Sequence, residues 1–282
     1  MTPQPKAEQE KRPLRASVVV VSHDRRELLE KCLASLEKSE GRDDLQLIVV
    51  DNGSRDGAAE LEDQFPRAQW VRLPKNFGLT KAMNLGWRAA DSELVLFLHD
   101  DTELPPEAVL RMAETLEQNP NVAAVCPLLV DANGNPAPQL GKLPPDGHWR
   151  PAECAPGDPP AVEYPRGAAL MTRVALIKAV RQIDERFGQF GADADLAANF
   201  KRASKKVLLL PGIQVRHHGS RGYTPEERAD FLLARAAYLG KYQGFGAGLT
   251  ARMASIFAPL FGFRFAEFKN TISGQKIDGT GV

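Results

Sequence analysis

Two adjacent carboxylates, Asp100 and Asp101, follow His99 at the end of the run Glu93-Leu94-Val95-Leu96-Phe97-Leu98. Paired acids are suited to hold a divalent cation. The apolar run carries no helical stripe, so it reads as a strand buried on both faces, and its acids then stand at the carboxyl end, where open α/β sheets bind ligands. A solvated turn leading into a helix cap is the other reading, because Asp and Thr are common before a segment such as Pro105-Pro106-Glu107. Further polar groups recur along the chain: Ser22-His23-Asp24, Asp51-Asn52-Gly53, Asn76, Lys81, Asp193 with Asp195, and His217-His218. Each has a plain structural alternative. Asp24 with Glu27 makes a capping-box-like pair, Asp51 is a turn former beside Asn52-Gly53, and Asp193 and Asp195 suit the first turn of a helix. Lys81 suits a solvated helix face, and the His pair an exposed turn.

Positioning these groups requires ordered elements, and the hydrophobic pattern supplies them. Residues 16–21 form a β-branched run that stops at Ser22, and 25–39 place Leu28, Leu29, Cys32, Leu33 and Leu36 on one helical face. A second buried strand at 45–50 ends in Asp51, with a helix expected at 58–64. A short strand at 69–73 precedes a small-residue helix at 80–90, and the strand ending at His99 precedes a helix at 105–118. This alternation predicts an α/β fold with a mostly parallel central sheet and helices on both faces. It puts the loops that begin at Ser22, Asp51, Lys75 and His99 on one sheet edge. Residues 122–130 read as a fifth strand, with Pro127 implying an edge position or a break. Residues 131–165 are dense in Pro and Gly and read as a mobile loop. Extended segments at 167–172, 207–210 and 214–216, and helices at 174–180, 192–204 and 223–242, complete the expectation.

Composition narrows the function. With 282 residues and 43% hydrophobic content the chain can bury a large core. Lys plus Arg (36) equals Asp plus Glu (36), so no global field recruits nucleic acid, and an anionic ligand must be held locally. Cys32, Cys126 and Cys154 are far apart and odd in number, which argues against a disulfide framework and for a reducing cytoplasm. Residues 1–15 read as a flexible leader. The apolar stretch at 256–263 is interrupted by Pro259 and Gly262 and is too short to span a bilayer.

The ordered set of motifs resembles the family-2 glycosyltransferases with the GT-A fold, in particular the bacterial rhamnosyltransferase-like branch. The resemblance is carried by Ser17-Val18-Val19-Val20-Val21-Ser22-His23-Asp24, by Val49-Val50-Asp51-Asn52-Gly53-Ser54-Arg55-Asp56-Gly57, by Asn76-Phe77-Gly78 and by Asn84-Leu85-Gly86. It continues through Leu96-Phe97-Leu98-His99-Asp100-Asp101-Thr102, Gly167-Ala168, Ile183-Asp184-Glu185-Arg186-Phe187, Asp193-Ala194-Asp195-Leu196 and His217-His218-Gly219. It implies a catalytic domain over 16–242, with 131–165 as its acceptor-side loop and 243–282 as a tail.

The resemblance also implies roles. Asp51 reads the nucleotide base, Ser22 and Asp24 line the same pocket, Asn76 lies near the donor, and Lys81 faces the phosphates. Asp101 is the ligand of a divalent metal, Mn²⁺ or Mg²⁺, with Asp100 as its neighbour and His217 or His218 completing the shell. Asp193 is the base that takes the acceptor hydroxyl's proton in an inverting transfer from a nucleotide-diphosphate sugar. Two places depart from the family pattern: His99 stands where an acid or amide is usual, and Ala192 where a Glu is usual, which leaves Asp195 as a second candidate for the base. These departures keep open a degenerate nucleotide-sugar-binding partner of another transferase. A nucleotidyltransferase is disfavoured because no Gly-rich basic loop lies near Ser22. The acceptor implied is a carbohydrate or a lipid-linked sugar. Residues 244–268 mix Phe with Arg and Lys, and suggest either peripheral contact with the inner membrane face, or a helix packed on the catalytic core or a dimer partner.

Overall fold

The structure, a computed structural model, describes residues 13–153, 158–219 and 224–274. Most of the leader, Cys154, Ser220, Tyr223 and residues 275–282 of the tail therefore lie outside the described residues. Of the leader, Arg15 is docked: its N–H donates to the Asp44 carbonyl at 2.8 Å.

The chain runs β1 (Ala16–Ser22), α1 (Arg26–Glu37), β2 (Leu45–Asp51), β3 (Ala68–Arg72), α2 (Leu79–Arg88) and β4 (Leu94–His99). It continues with β5 (Thr102–Glu103), α3 (Ala108–Gln118), β6 (Val122–Val130), β7 (Leu140–Gly141), β8 (Ala161–Val162), β9 (Tyr164–Pro165) and β10 (Ala169–Arg173). Then follow α4 (Val174–Ala179), α5 (Ala192–Arg202), β11 (Lys206–His217), α6 (Pro225–Gln243), α7 (Phe245–Phe261) and α8 (Phe265–Ser273). The helix expected at 58–64 is a 3₁₀ helix, Ala58–Asp63.

The main sheet has the order β3-β2-β1-β4-β10-β6-β11-β5, with β8 also paired to β11. Its first four strands are mutually parallel, as the alternation predicts. The second half is mixed, because β10 runs antiparallel between β4 and β6 while β11 returns parallel to β6. Continuous apolar runs are explained by burial on both faces. Val18, Val20, Leu47, Val49, Leu96 and Leu98 pack with α1 and α3, whereas Val19, Ile48, Val50, Val95 and Phe97 pack with α2, α4 and α5. Each such side chain contributes about 1.5–3 kcal/mol of burial. Cys32 and Cys126 belong to opposite layers.

Pro127 lies in the interior, not on an edge. Its missing N–H coincides with a break in both ladders: β10 pairs with β6 only at Val125 and Ala124, and β11 bulges between Leu210 and Gln214. The buried Gln139 side chain fills the gap, donating to the Pro127 carbonyl at 3.0 Å and accepting from Leu129 N at 2.6 Å. Residues 131–165, expected as loop, carry three two-residue strands, and β7 pairs with β9.

The Asn84 motif belongs to packing. The Asn84 amide donates to the Ile183 carbonyl (2.8 Å) and to Glu185 (3.0 Å) and accepts from Ile183 N (3.1 Å), which ties α2 to 183–187. Two residues on, Gly86 lets α2 lie directly on the sheet. A Cβ there would stand 2.2 Å from Val19 Cγ1 and 3.2 Å from Val50 Cγ2. Gly86→Ala is expected to lose about 1–3 kcal/mol by overpacking, despite the better helix propensity of Ala. An unchanged midpoint in urea unfolding would contradict this close approach.

Candidate active site

The parallel register brings the polar strand ends together: Ser22 lies opposite Asp51, and Val21 opposite His99. Past these ends opens a cleft of about 700 Å³, lined among others by Ser22, Asp24, Asn76, His99, Asp100, Asp101, Asp193, His217 and His218. Asp51 and Lys81 do not line it. Asp51 is buried, its Oδ1 accepting from Ser54 N at 2.9 Å. Lys81 is exposed on α2 with its ammonium over the Phe77 ring at 4.6 Å.

The loops after β1 and β2 are stitched to each other. Asp24, at φ +50°, accepts from Arg55 N at 2.6 Å and donates its own N–H to Ser54 Oγ at 3.1 Å. Its carboxylate is thus used across the loops and not in a capping box with Glu27. Asp56 instead accepts from Arg26 N at the start of α1 (2.7 Å). Asn52 bridges to the next loop, donating to Asn76 Oδ1 (2.9 Å) and accepting from Phe77 N (2.9 Å).

At the end of β4 the chain turns tightly, with Thr102 Oγ1 donating to the His99 carbonyl at 2.8 Å. β5 then pairs antiparallel with the end of β11, setting His217 opposite Thr102, and His218 N donates to the Asp101 carbonyl at 2.8 Å. This pairing closes a group absent from the linear motif. Ligand atoms of His99, Asp101 and His217 lie within 4.8 Å of one another. His218 stands apart from the group, its Nε2 sharing a 2.6 Å hydrogen bond with Glu103 Oε1. Gly219 is required where the chain passes over the group, since a Cβ there would meet Asp101 Oδ2 at 2.1 Å.

Asp101 is only 3% exposed. Burial opposes its charge, but the rings of His217 and His99 and the Arg25 guanidinium outweigh burial and hold the carboxyl well below the usual carboxylate range. Arg25 donates to Oδ2 at 2.8 Å and lies 3.6 Å from Asp100. Oδ1 has no hydrogen-bond partner among the described residues, although His217 Nε2 lies 3.3 Å away and His99 Nδ1 3.9 Å. The accessible 31% of the His99 side chain opens into the cleft, and burial lowers its pKa to about 4 against the opposing influence of Asp101. Burial raises Asp100 to about 7. An orphaned, charged carboxylate oxygen between two imidazoles is a donor set that fits a divalent transition metal.

The first turn of α5 carries a further carboxylate that lines the cleft. Asp193 accepts from Tyr164 O–H (2.9 Å), Ala194 N (2.8 Å) and Gly167 N (3.2 Å). Burial raises its pKa above the ordinary carboxylate value, with these donors acting in the opposite sense. Asp195 lies outside the cleft lining: it is 1% exposed, paired with Lys241 at 2.6 Å, and accepts from Tyr242 O–H at 2.7 Å. Arg25, Tyr164 and Arg166 line the cleft without having been singled out for chemistry from sequence. Arg25 directly follows Ser22-His23-Asp24, and Arg166 directly precedes Gly167-Ala168, so adjacency to motifs was the available signal.

The sequence profile described as Glycosyl transferase family 2 matches residues 17–168. Among curated relatives, an N-acetylglucosaminyltransferase of Sinorhizobium fredii is 33% identical over 110 residues, covering 37% of this chain and 26% of the relative. An undecaprenyl-phosphate 4-deoxy-4-formamido-L-arabinose transferase of Proteus mirabilis is 33% identical over 119 residues, covering 38% of this chain and 35% of the relative. The aligned part thus spans about a third or less of each relative's length. Among solved structures, GalNAc-T7 with UDP, GalNAc and Mn²⁺ superposes with a TM-score of 0.67 at 15% identity, over 82% of this chain and 48% of the other. Staphylococcus aureus TarS 1–349 in complex with UDP-GlcNAc superposes with a TM-score of 0.60 at 15% identity, over 92% and 79%. These superpositions establish the GT-A fold.

The contrast between the two acids of α5 yields a test. Asp195→Ala removes a buried partner of Lys241 and Tyr242 and is expected to lower stability by about 1–3 kcal/mol. Binding of Mn²⁺ to the folded variant should stay unchanged by calorimetry. Lost metal binding at full stability would place Asp195 in the chemistry instead.

Proposed function

Because this chain belongs to glycosyl transferase family 2, we propose that its cleft moves a sugar, with inversion, from a nucleotide-diphosphate sugar to a hydroxyl of a carbohydrate or lipid-linked acceptor. The observation that carries this reading is the orphaned Asp101 oxygen between His99 and His217, in the same cleft as the Asp193 carboxylate. Structural neighbours that hold UDP or UDP-GlcNAc make uridine-diphosphate sugars the first donors to test.

His99, Asp101 and His217 would hold a divalent metal, and two imidazoles beside one carboxylate favour Mn²⁺ over Mg²⁺. A cation bound there supplies positive charge against the departing nucleoside diphosphate, otherwise a poor leaving group at neutral pH. Arg25, with a guanidinium already at the carboxylates, adds charge on the same side. Asp193 takes the proton of the acceptor hydroxyl as its oxygen attacks the anomeric carbon and the bond to the diphosphate breaks. Tyr164 and Gly167 fix its carboxylate. Tyr164 thus supports the base where the family's usual Glu is replaced by Ala192. Cell-surface polysaccharide or glycolipid synthesis is the setting that an acceptor of this class suggests.

Turnover of a panel of UDP-sugars with Mn²⁺ and mixed acceptors tests the reading as a whole. Asp193→Asn should keep donor binding and lose turnover by a factor of about 10²–10⁴. Undiminished turnover would remove Asp193 as base. His99→Ala and Asp101→Ala should each weaken Mn²⁺ binding, measured by calorimetry without donor, beyond the roughly 10–100-fold of an outer-shell change. Unaltered Mn²⁺ affinity in both would dismiss the proposed metal group.

Proton transfer to Asp193 also sets a pH dependence. A base must be deprotonated, so kcat/KM should fall as pH drops through its raised pKa. The Tyr164 hydrogen bond favours the charged form, so Tyr164→Phe should move that acidic limb to higher pH while the basic limb stays in place. A limb that stays put or moves down would show that another group governs it.

A further inference from the structure

We propose that α7 and α8 form a ridge that seats the protein on a membrane surface containing anionic lipid, next to the wall of the catalytic cleft. Phe245, Leu249, Phe257 and Phe261 recur at multiples of four residues along α7, Phe263 lies in the link that follows, and Phe265 opens α8. Their exposures are 82%, 50%, 45%, 79%, 81% and 62%. Large apolar side chains this open, recurring along α7 and into α8, mark a surface made to be covered.

The core of this chain does not cover it. The inward side of α7 already packs through Ala247 and Ala251 against the cluster of Tyr238 and Leu239, and Gly248 lies so close to Gly240 that a Cβ would meet its Cα at 2.7 Å. The apolar ridge is what remains outside.

Charge identifies the occupant. Residues 244–274 hold Arg252, Arg264 and Lys269 and a single acid, Glu267. That acid is 2% exposed and is held by Arg264 at 3.3 Å and Arg228 at 3.5 Å. The ridge therefore offers cations around phenylalanine and no exposed carboxylate. This complements anionic headgroups over acyl chains, whereas a two-fold contact with a second copy would bring identical cations together. No helix among the described residues is long and apolar enough to cross a membrane, so the ridge lies in the interface.

Position gives the docking its use. Arg228, which holds Glu267 of α8, sits in the first turn of α6, and its neighbours Glu227 and Phe231 line the cleft. The ridge is thus mounted on the helix that walls the cleft. Presentation of a lipid-linked acceptor from the bilayer is the consequence, and that consequence, unlike the docking, rests on the transferase reading above.

Flotation of the full chain with vesicles of phosphatidylcholine, with and without phosphatidylglycerol, tests the proposal. Binding is expected to the anionic vesicles and to weaken as salt is raised toward ~1 M. The double variant Phe257→Glu with Phe261→Glu should lower the bound fraction by about tenfold or more, while donor binding by calorimetry is unchanged. As a check independent of that variant's folding, Phe263→Trp should add blue-shifted emission quenched by brominated lipid. Absence of flotation, flotation unaltered in the double variant, no lipid quenching in Phe263→Trp, or a ridge-dependent dimer in light scattering without vesicle binding would each overturn it. Flotation needs no donor and donor binding needs no vesicles, so a chain that floats but binds no nucleotide sugar fails the transferase reading alone.

Discussion

A carboxylate kept charged at the floor of a cleft is costly, and much of the site is arranged to bear that cost. Removing a carboxylate from water costs several kcal/mol unless nearby charge and hydrogen bonds offset it. Asp101 is set among three groups that come from separate places: Arg25 after β1, His99 two residues before it, and His217 at the end of β11. None of the three works without the strand pairings that deliver them. β1 lies beside β4, and β5 holds the end of β11 against the turn that contains Asp100 and Asp101.

The antiparallel strand β10 joins this centre to the second one. The Ala168 carbonyl accepts from His99 N at 2.9 Å, and Gly167 N donates to Asp193 at 3.2 Å. Gly167-Ala168 therefore touches both groups, and its lack of bulk matters, since a Cβ at Gly167 would meet Asp193 Cβ at 3.1 Å. A strand of reversed direction in the middle of the sheet is what lets one short segment serve the metal-type cluster and the candidate base together.

Neighbouring residues of one type meet different fates for geometric reasons. His217 and His218 are consecutive at a strand end, where side chains alternate between opposite sides, so only one can face Asp101 and the other reaches Glu103. Asp193 and Asp195 are two apart on a helix, which turns them away from each other. One enters the cleft beside Tyr164, and the other is sealed against Lys241 and Tyr242 of α6.

The sequence alone determined the alternating strands and helices, the edge on which the polar loops gather, and the family to which its ordered motifs point. These follow from short-range patterns: apolar runs, helical stripes, turn residues and spacing. Pro127 shows the limit, because its interior place depends on a bulge in β11 and on the distant Gln139 side chain. The membership of the metal-type group was likewise decided only by tertiary structure. His99 departs from the motif yet joins Asp101 and His217 once β11 lies beside it, and Lys81 and Asp51 stand outside the cleft lining, which spacing does not encode. Burial, pairing and protonation depend on which distant segments converge, and only the folded chain determines that.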